Sequence, residues 1–134
     1  MHVYNRMLHL FSALLISFGV SAQSDLVITG VMDGPLSGGT PKVLELYVMS
    51  DVADASAYKV YRYSNGGSSA SSVYTFPAIA LTAGQHYTIA SDSAKYYAFF
   101  GSNADGFGSL YINGDDIVEL RMGSDTVASC RSGS

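Results

Sequence analysis

Residues 42–48 read KVLELYV, and the spacing of their side chains decides the fold class. Leu44, Leu46 and Val48 fall at every second position, with Val43, Glu45 and Tyr47 between them. Successive side chains of a strand point to opposite faces, so the segment reads as a half-buried β-strand with Glu45 and Tyr47 outward. On a helix, the same three apolar residues would not share one face.

The pattern extends in both directions. Upstream, LVITGVM (26–32) places Leu26, Ile28, Gly30 and Met32 on one face, with Gly30 marking a bulge or a close approach. Downstream, AYKVYRYS (57–64) sets Tyr58, Val60 and Arg62 against Lys59, Tyr61 and Tyr63. Further strands are expected at SVYTF (72–76), QHYTIAS (85–91), GSLYI (108–112), DDIVELRM (115–122) and TVAS (126–129). In DDIVELRM, Val118, Leu120 and Met122 point inward. Gly, Ser, Asn and Asp clusters at 33–41, 65–72 and 101–108 separate these runs, which is the signature of an all-β sandwich or barrel. Helical spacing wins only in SAKYYAFF (93–100), a short helical turn with Ser91 or Asp92 as its cap and Gly101 at its end.

The first residues read as a targeting segment. MHVYNRMLH carries Arg6, LFSALLISFGV is an apolar run too short to span a bilayer comfortably, and Val20-Ser21-Ala22 suits signal peptidase. Cleavage is expected between Ala22 and Gln23, giving a signal peptide at 1–22 and a secreted or periplasmic protein with no later membrane segment. Removing 1–22 takes away one charged residue, Arg6, leaving six basic against eleven acidic side chains and a net charge of −5. That charge disfavours a nucleic-acid partner, because non-specific affinity for phosphates comes mainly from basic residues. Cys130 is the only cysteine, so no intramolecular disulfide is available.

The order of motifs resembles the lamin-tail-like domains of the immunoglobulin fold found in exported bacterial proteins. The resemblance is carried by DLVITGVMDGPLSGGTPKVLELYV (25–48), TFPAIALTAGQHYTIAS (75–91) and INGDDIVELRMGSDTV (112–127). It implies an immunoglobulin-like β-sandwich over 23–129 that binds or positions without chemistry of its own. Members also occur beside catalytic domains in secreted nucleases. Family members continue past the strand matching 125–129 into a Phe-Gly turn and a strand rich in Trp and Tyr. Here the chain reads CRSGS (130–134) and contains no Trp, so the resemblance implies a truncated domain lacking its final strand. An open sheet edge of that kind invites self-association.

Candidate sites are few. Asp105, Asp115 and Asp116 offer oxygen donors of the type calcium prefers, although Asn113-Gly114 ahead of the aspartate pair equally marks a hairpin turn. Neighbouring strand residues face opposite ways, which argues against the pair as a shared acid–base site. Glu45 and Glu119 read as outward carboxylates able to meet a residue such as Arg121. His86 is the only histidine after residue 22 and lacks a nucleophile elbow or zinc spacing around it. Nine tyrosines follow residue 22, and Lys59, Tyr61 and Tyr63 share one strand face that can stack on sugars or bases.

These readings give an exported, non-catalytic binding or scaffolding module for an extracellular polymer, glycan or protein. An alternative is the N-terminal part of a secreted nuclease whose catalytic domain lies downstream. A calcium-dependent surface adhesion module is the second alternative.

Overall fold

The computed structural model describes residues 24–132. The segment 1–22 and the cleavage point between Ala22 and Gln23 lie outside these residues.

Eight strands build two sheets of four. In chain order they are β1 (Leu26–Met32), β2 (Val43–Val48), β3 (Tyr58–Tyr63), β4 (Ala70–Thr75), β5 (His86–Ala90), β6 (Gly106–Phe107), β7 (Ile117–Met122) and β8 (Asp125–Arg131). The first sheet has the order β1-β2-β5-β6 and the second β4-β3-β7-β8. Every pairing is antiparallel except β5 with β6. The sheets stack into an all-β sandwich, as the alternation in KVLELYV requires. Leu44, Leu46 and Val48 are buried between them with Val60, Ile89, Val118 and Leu120, while Glu45 and Tyr47 face out.

Aromatic side chains fill the centre. Phe76 meets Tyr74 and Tyr87 with ring centroids 5.1 and 5.0 Å away. The hydroxyls of Tyr74 on β4 and Tyr87 on β5 are 2.7 Å apart, a hydrogen bond that joins the two sheets inside the core. Burying two phenols is costly unless each finds a partner, and this bond provides one.

Three expectations for the strands are corrected. In β1 the pairing shifts between Ile28 and Gly30, so Thr29 is an extra residue. Leu26 and Ile28 face the core, but after the bulge Val31 faces inward, while Gly30 and Met32 turn to the outer face. GSLYI forms no strand. Leu110 and Ile112 are nonetheless fully buried, because the segment closes one flank of the sandwich. Gly108 N–H donates to Ala90 O on the first sheet, and Ser109 N–H donates to Val73 O on the second, each at 3.0 Å. Met122, expected inward, is 43 % exposed because it ends its strand.

At the opposite flank β1 and β8 pack side by side, with Ile28, Val31, Val127, Ala128 and Cys130 sealing the core. β8 continues beyond TVAS and across the boundary placed after residue 129. Cys130 pairs with Val118, and Ser132 N–H donates to Asp116 O. The helical turn is an eight-residue helix, α1 (Ser93–Phe100), of about two turns. Asp92 caps it by accepting from Lys95 N–H, and Gly101 ends it at φ 72°. Tyr96 anchors α1 on the outer face of the first sheet, against Val43, Ala90, Ala104 and Met32.

Candidate functional site

The outer face of the second sheet carries the expected group Lys59, Tyr61 and Tyr63. Antiparallel pairing with β7 sets Lys59 opposite Arg121 and Tyr61 opposite Glu119. Arg121, rather than Lys59, covers the aromatic rings. Its guanidinium carbon is 4.3 Å from the Tyr61 ring centroid and 5.9 Å from that of Tyr63, within range of cation–π attraction. Arg121 Nη2 donates to Tyr63 Oη at 2.6 Å and to Glu119 Oε2 at 2.8 Å, and Nε donates to the same carboxylate oxygen at 3.0 Å. Tyr63 Oη and Thr126 Oγ1 also donate to Glu119 Oε2, at 3.2 and 3.3 Å. The hydrogen bond to Glu119 pushes the Arg121 pKa above its ordinary value, so the cation is fixed.

Small side chains flank this group. Across β4, Tyr61 and Tyr63 pair with Ser72 and Ala70, and across β8, Glu119 pairs with Ser129. The result is a low platform of two half-buried rings, a locked Arg–Glu pair, and Lys59 exposed with no ion pair among the described residues. Sequence alternation found the strand and the tyrosines. It could not find the order in which Arg121 covers them, because that depends on the β3–β7 register.

The three carboxylates proposed as cation ligands do not form one donor set. Asp105 Oδ2 accepts from Thr88 N–H and Thr88 Oγ1 at 2.7 and 2.9 Å, beside the first sheet. Asp115 is exposed in the turn before β7. Asp116 is fully buried: Oδ1 accepts from Asn65 N–H at 2.7 Å and Oδ2 from Asn113 N–H at 3.0 Å. Among the described residues no three His, Cys, Asp or Glu side chains are grouped to hold a metal. The donor arrangement expected for calcium is therefore not assembled by Asp105, Asp115 and Asp116.

Asp116 instead answers Arg62, whose Nε lies 3.9 Å from Asp116 Oδ2. Arg62 follows Val60 on the inward face of β3, and its Nη1 donates to Tyr111 O. An arginine at an inward strand position needs a buried anion, and that was the available signal for Asp116.

On the outer face of the first sheet, Glu45 Oε1 accepts from Thr29 Oγ1 at 2.8 Å and lies 3.4 Å from His86 Nδ1. The His86 ring stands edge-on to Tyr47 at 5.1 Å. A hydroxyl, a carboxylate and an imidazole thus share one face, yet Thr29 and His86 both address the same oxygen and no hydrogen bond joins them to each other. A nucleophile–base–orienter chain requires the histidine in the middle, so this order does not make one.

Comparison with protein-family models finds none that matches the chain, and comparison with curated proteins finds no match either. Among the described residues no helix is long and apolar enough to cross a membrane.

Proposed function

We propose that this chain is an exported, non-catalytic binding module that holds an extracellular glycan polymer against the outer face of its second sheet. The observation that carries the reading is the Tyr61–Arg121–Glu119–Tyr63 lock. It presents aromatic and charged groups in fixed positions on an exposed sheet, so little side-chain entropy is lost when a ligand docks. Tyrosine supplies apolar area with a polar tip, which suits the alternating apolar and hydroxyl surfaces of sugar rings. Lys59, exposed at the edge of the platform and without an ion pair among the described residues, adds a cation for a polar or acidic substituent.

Export is supported by the arrangement of residues 1–22, and a binding role by the lamin-tail-like order of motifs. Both remain part of the same proposal.

Affinity electrophoresis tests it. The protein is run through gels containing each of a panel of soluble neutral and acidic polysaccharides, beside a Tyr61→Ala, Tyr63→Ala variant. Retardation of the parent by at least one polymer, lost in the variant at unchanged melting temperature, is expected. Free migration of both proteins in every gel, or equal retardation of both, would overturn the reading.

A further inference from the structure

A second site lies on the other side of the sandwich. Between the outer face of β1 and β2 and the C-terminal end of α1 is a cleft of about 220 Å³, lined by Gly30, Val31, Met32, Val43, Glu45 and Phe100. The Thr29 bulge creates it by turning Gly30 outward. Gly30 lacks a side chain, and a Cβ built there would meet only Glu45 Cβ at 3.7 Å, an ordinary contact. The floor is thus open for want of an atom, at the point where Gly30 stands opposite Glu45 across β1 and β2.

Three features give the cleft a charge preference. Glu45 is 41 % exposed at its side chain and held through Oε1 by Thr29, which leaves Oε2 without a protein hydrogen bond among the described residues. Phe100 is 45 % exposed and rests against Tyr96 with centroids 4.6 Å apart, so its ring is braced at the cleft wall. The C-terminal end of α1, which carries the negative end of the helix dipole, arrives at the same place through Phe100. Among the described residues no lysine or arginine lines the cleft. An anionic oxygen, an aromatic face and a helix C-terminus all favour a cation.

The remaining walls decide which cation. Met32 and Val43, whose side chains lie on this outer face, offer no side-chain acceptors, so the three N–H donors of a primary ammonium would be only partly satisfied. A quaternary ammonium has no N–H and meets such walls with methyl groups. The volume is below the roughly 300 Å³ at which pockets for drug-sized ligands begin, and it suits a trimethylammonium head with a short stem. We propose that this cleft binds a trimethylammonium group between Phe100 and Glu45. The site is independent of the glycan platform and goes beyond that reading.

The test is a titration of the whole isotopically labelled protein, followed by amide NMR, with choline, with its uncharged carbon analogue 3,3-dimethylbutan-1-ol, and with Nα-acetyl-lysinamide. Choline is expected to give saturable shifts at Gly30, Glu45 and Phe100, with the other two compounds binding at least about fivefold more weakly. Glu45→Gln, which keeps an oxygen for Thr29, should weaken choline about fivefold, and Gly30→Val should abolish saturation by filling the floor. Phe100→Leu, at an exposed position, should weaken choline while leaving the melting temperature unchanged. Equal binding of the alcohol, equal or tighter binding of the lysine derivative, absence of shifts at the cleft, or indifference to Glu45→Gln would each overturn the assignment.

Discussion

The Asp116 carboxylate is fully buried and lies 3.9 Å from the Nε of Arg62, whose side chain is 17 % exposed. The same carboxylate receives the Asn65 and Asn113 N–H groups, so one side chain fixes the start of the β3–β4 connection, the turn before β7 and an inward-facing arginine. Asp116→Ala is expected to cost about 3–5 kcal/mol, because it leaves a largely buried cation without its anion and two amides without an acceptor. Asp116→Asn keeps one acceptor and should cost about 1–3 kcal/mol. Urea unfolding of the two variants checks the order; a loss below about 0.5 kcal/mol for the alanine variant would contradict it.

A second prediction concerns Gly106. A Cβ added there would stand 2.3 Å from Tyr74 Oη and 2.7 Å from Tyr74 Cζ. Tyr74 cannot swing away, since its ring packs edge-on against Phe76 and its hydroxyl meets that of Tyr87. Gly106→Ala should therefore destabilise the fold by about 1–3 kcal/mol. In a Tyr74→Leu background the same substitution should cost markedly less, a coupling that a double-mutant cycle measures.

The tyrosines of the core set the alkaline limit. Burial, then the hydrogen bond and charge of Asp25, push Tyr58 up to about 12 from 10.0. Burial, and after it the hydrogen bond with Tyr74, raises Tyr87 as well. The folded state thus prefers both phenols protonated. Their contribution is fully present below pH 10.0 and, for Tyr58, is lost as pH rises through about 12. Thermal melts should show a steep fall in stability across that window. Tyr58→Phe should make the fall shallower; an unchanged slope would contradict the assignment of Tyr58.

Much of this fold was legible in the sequence because a half-buried strand writes its faces in alternation. Leu44, Leu46 and Val48, and Val118 with Leu120, all lie where that rule puts them. The rule fails where an extra residue changes the parity, as at Thr29, whose bulge exchanges the faces of Gly30 and Val31. It fails again at Leu110 and Ile112, whose burial comes from closing a flank rather than joining a ladder. The tyrosine platform was half legible: β3 places Tyr61 and Tyr63 together, but only the register with β7 brings Arg121 and Glu119 onto them. Asp116 reads in the sequence as a cation ligand or a turn residue; Arg62 on the face of Val60 signals that an anion is needed nearby, but alternation alone does not say which carboxylate supplies it.

The most direct test of the binding face is an amide and tyrosine-ring NMR titration with a hexasaccharide cut from whichever polysaccharide retards the protein. The account predicts shifts at Tyr61, Tyr63, Glu119 and Arg121, with Val27, Tyr47 and His86 on the opposite outer face unmoved. Shifts confined to that opposite face, with the Tyr61–Arg121 group silent, would contradict it.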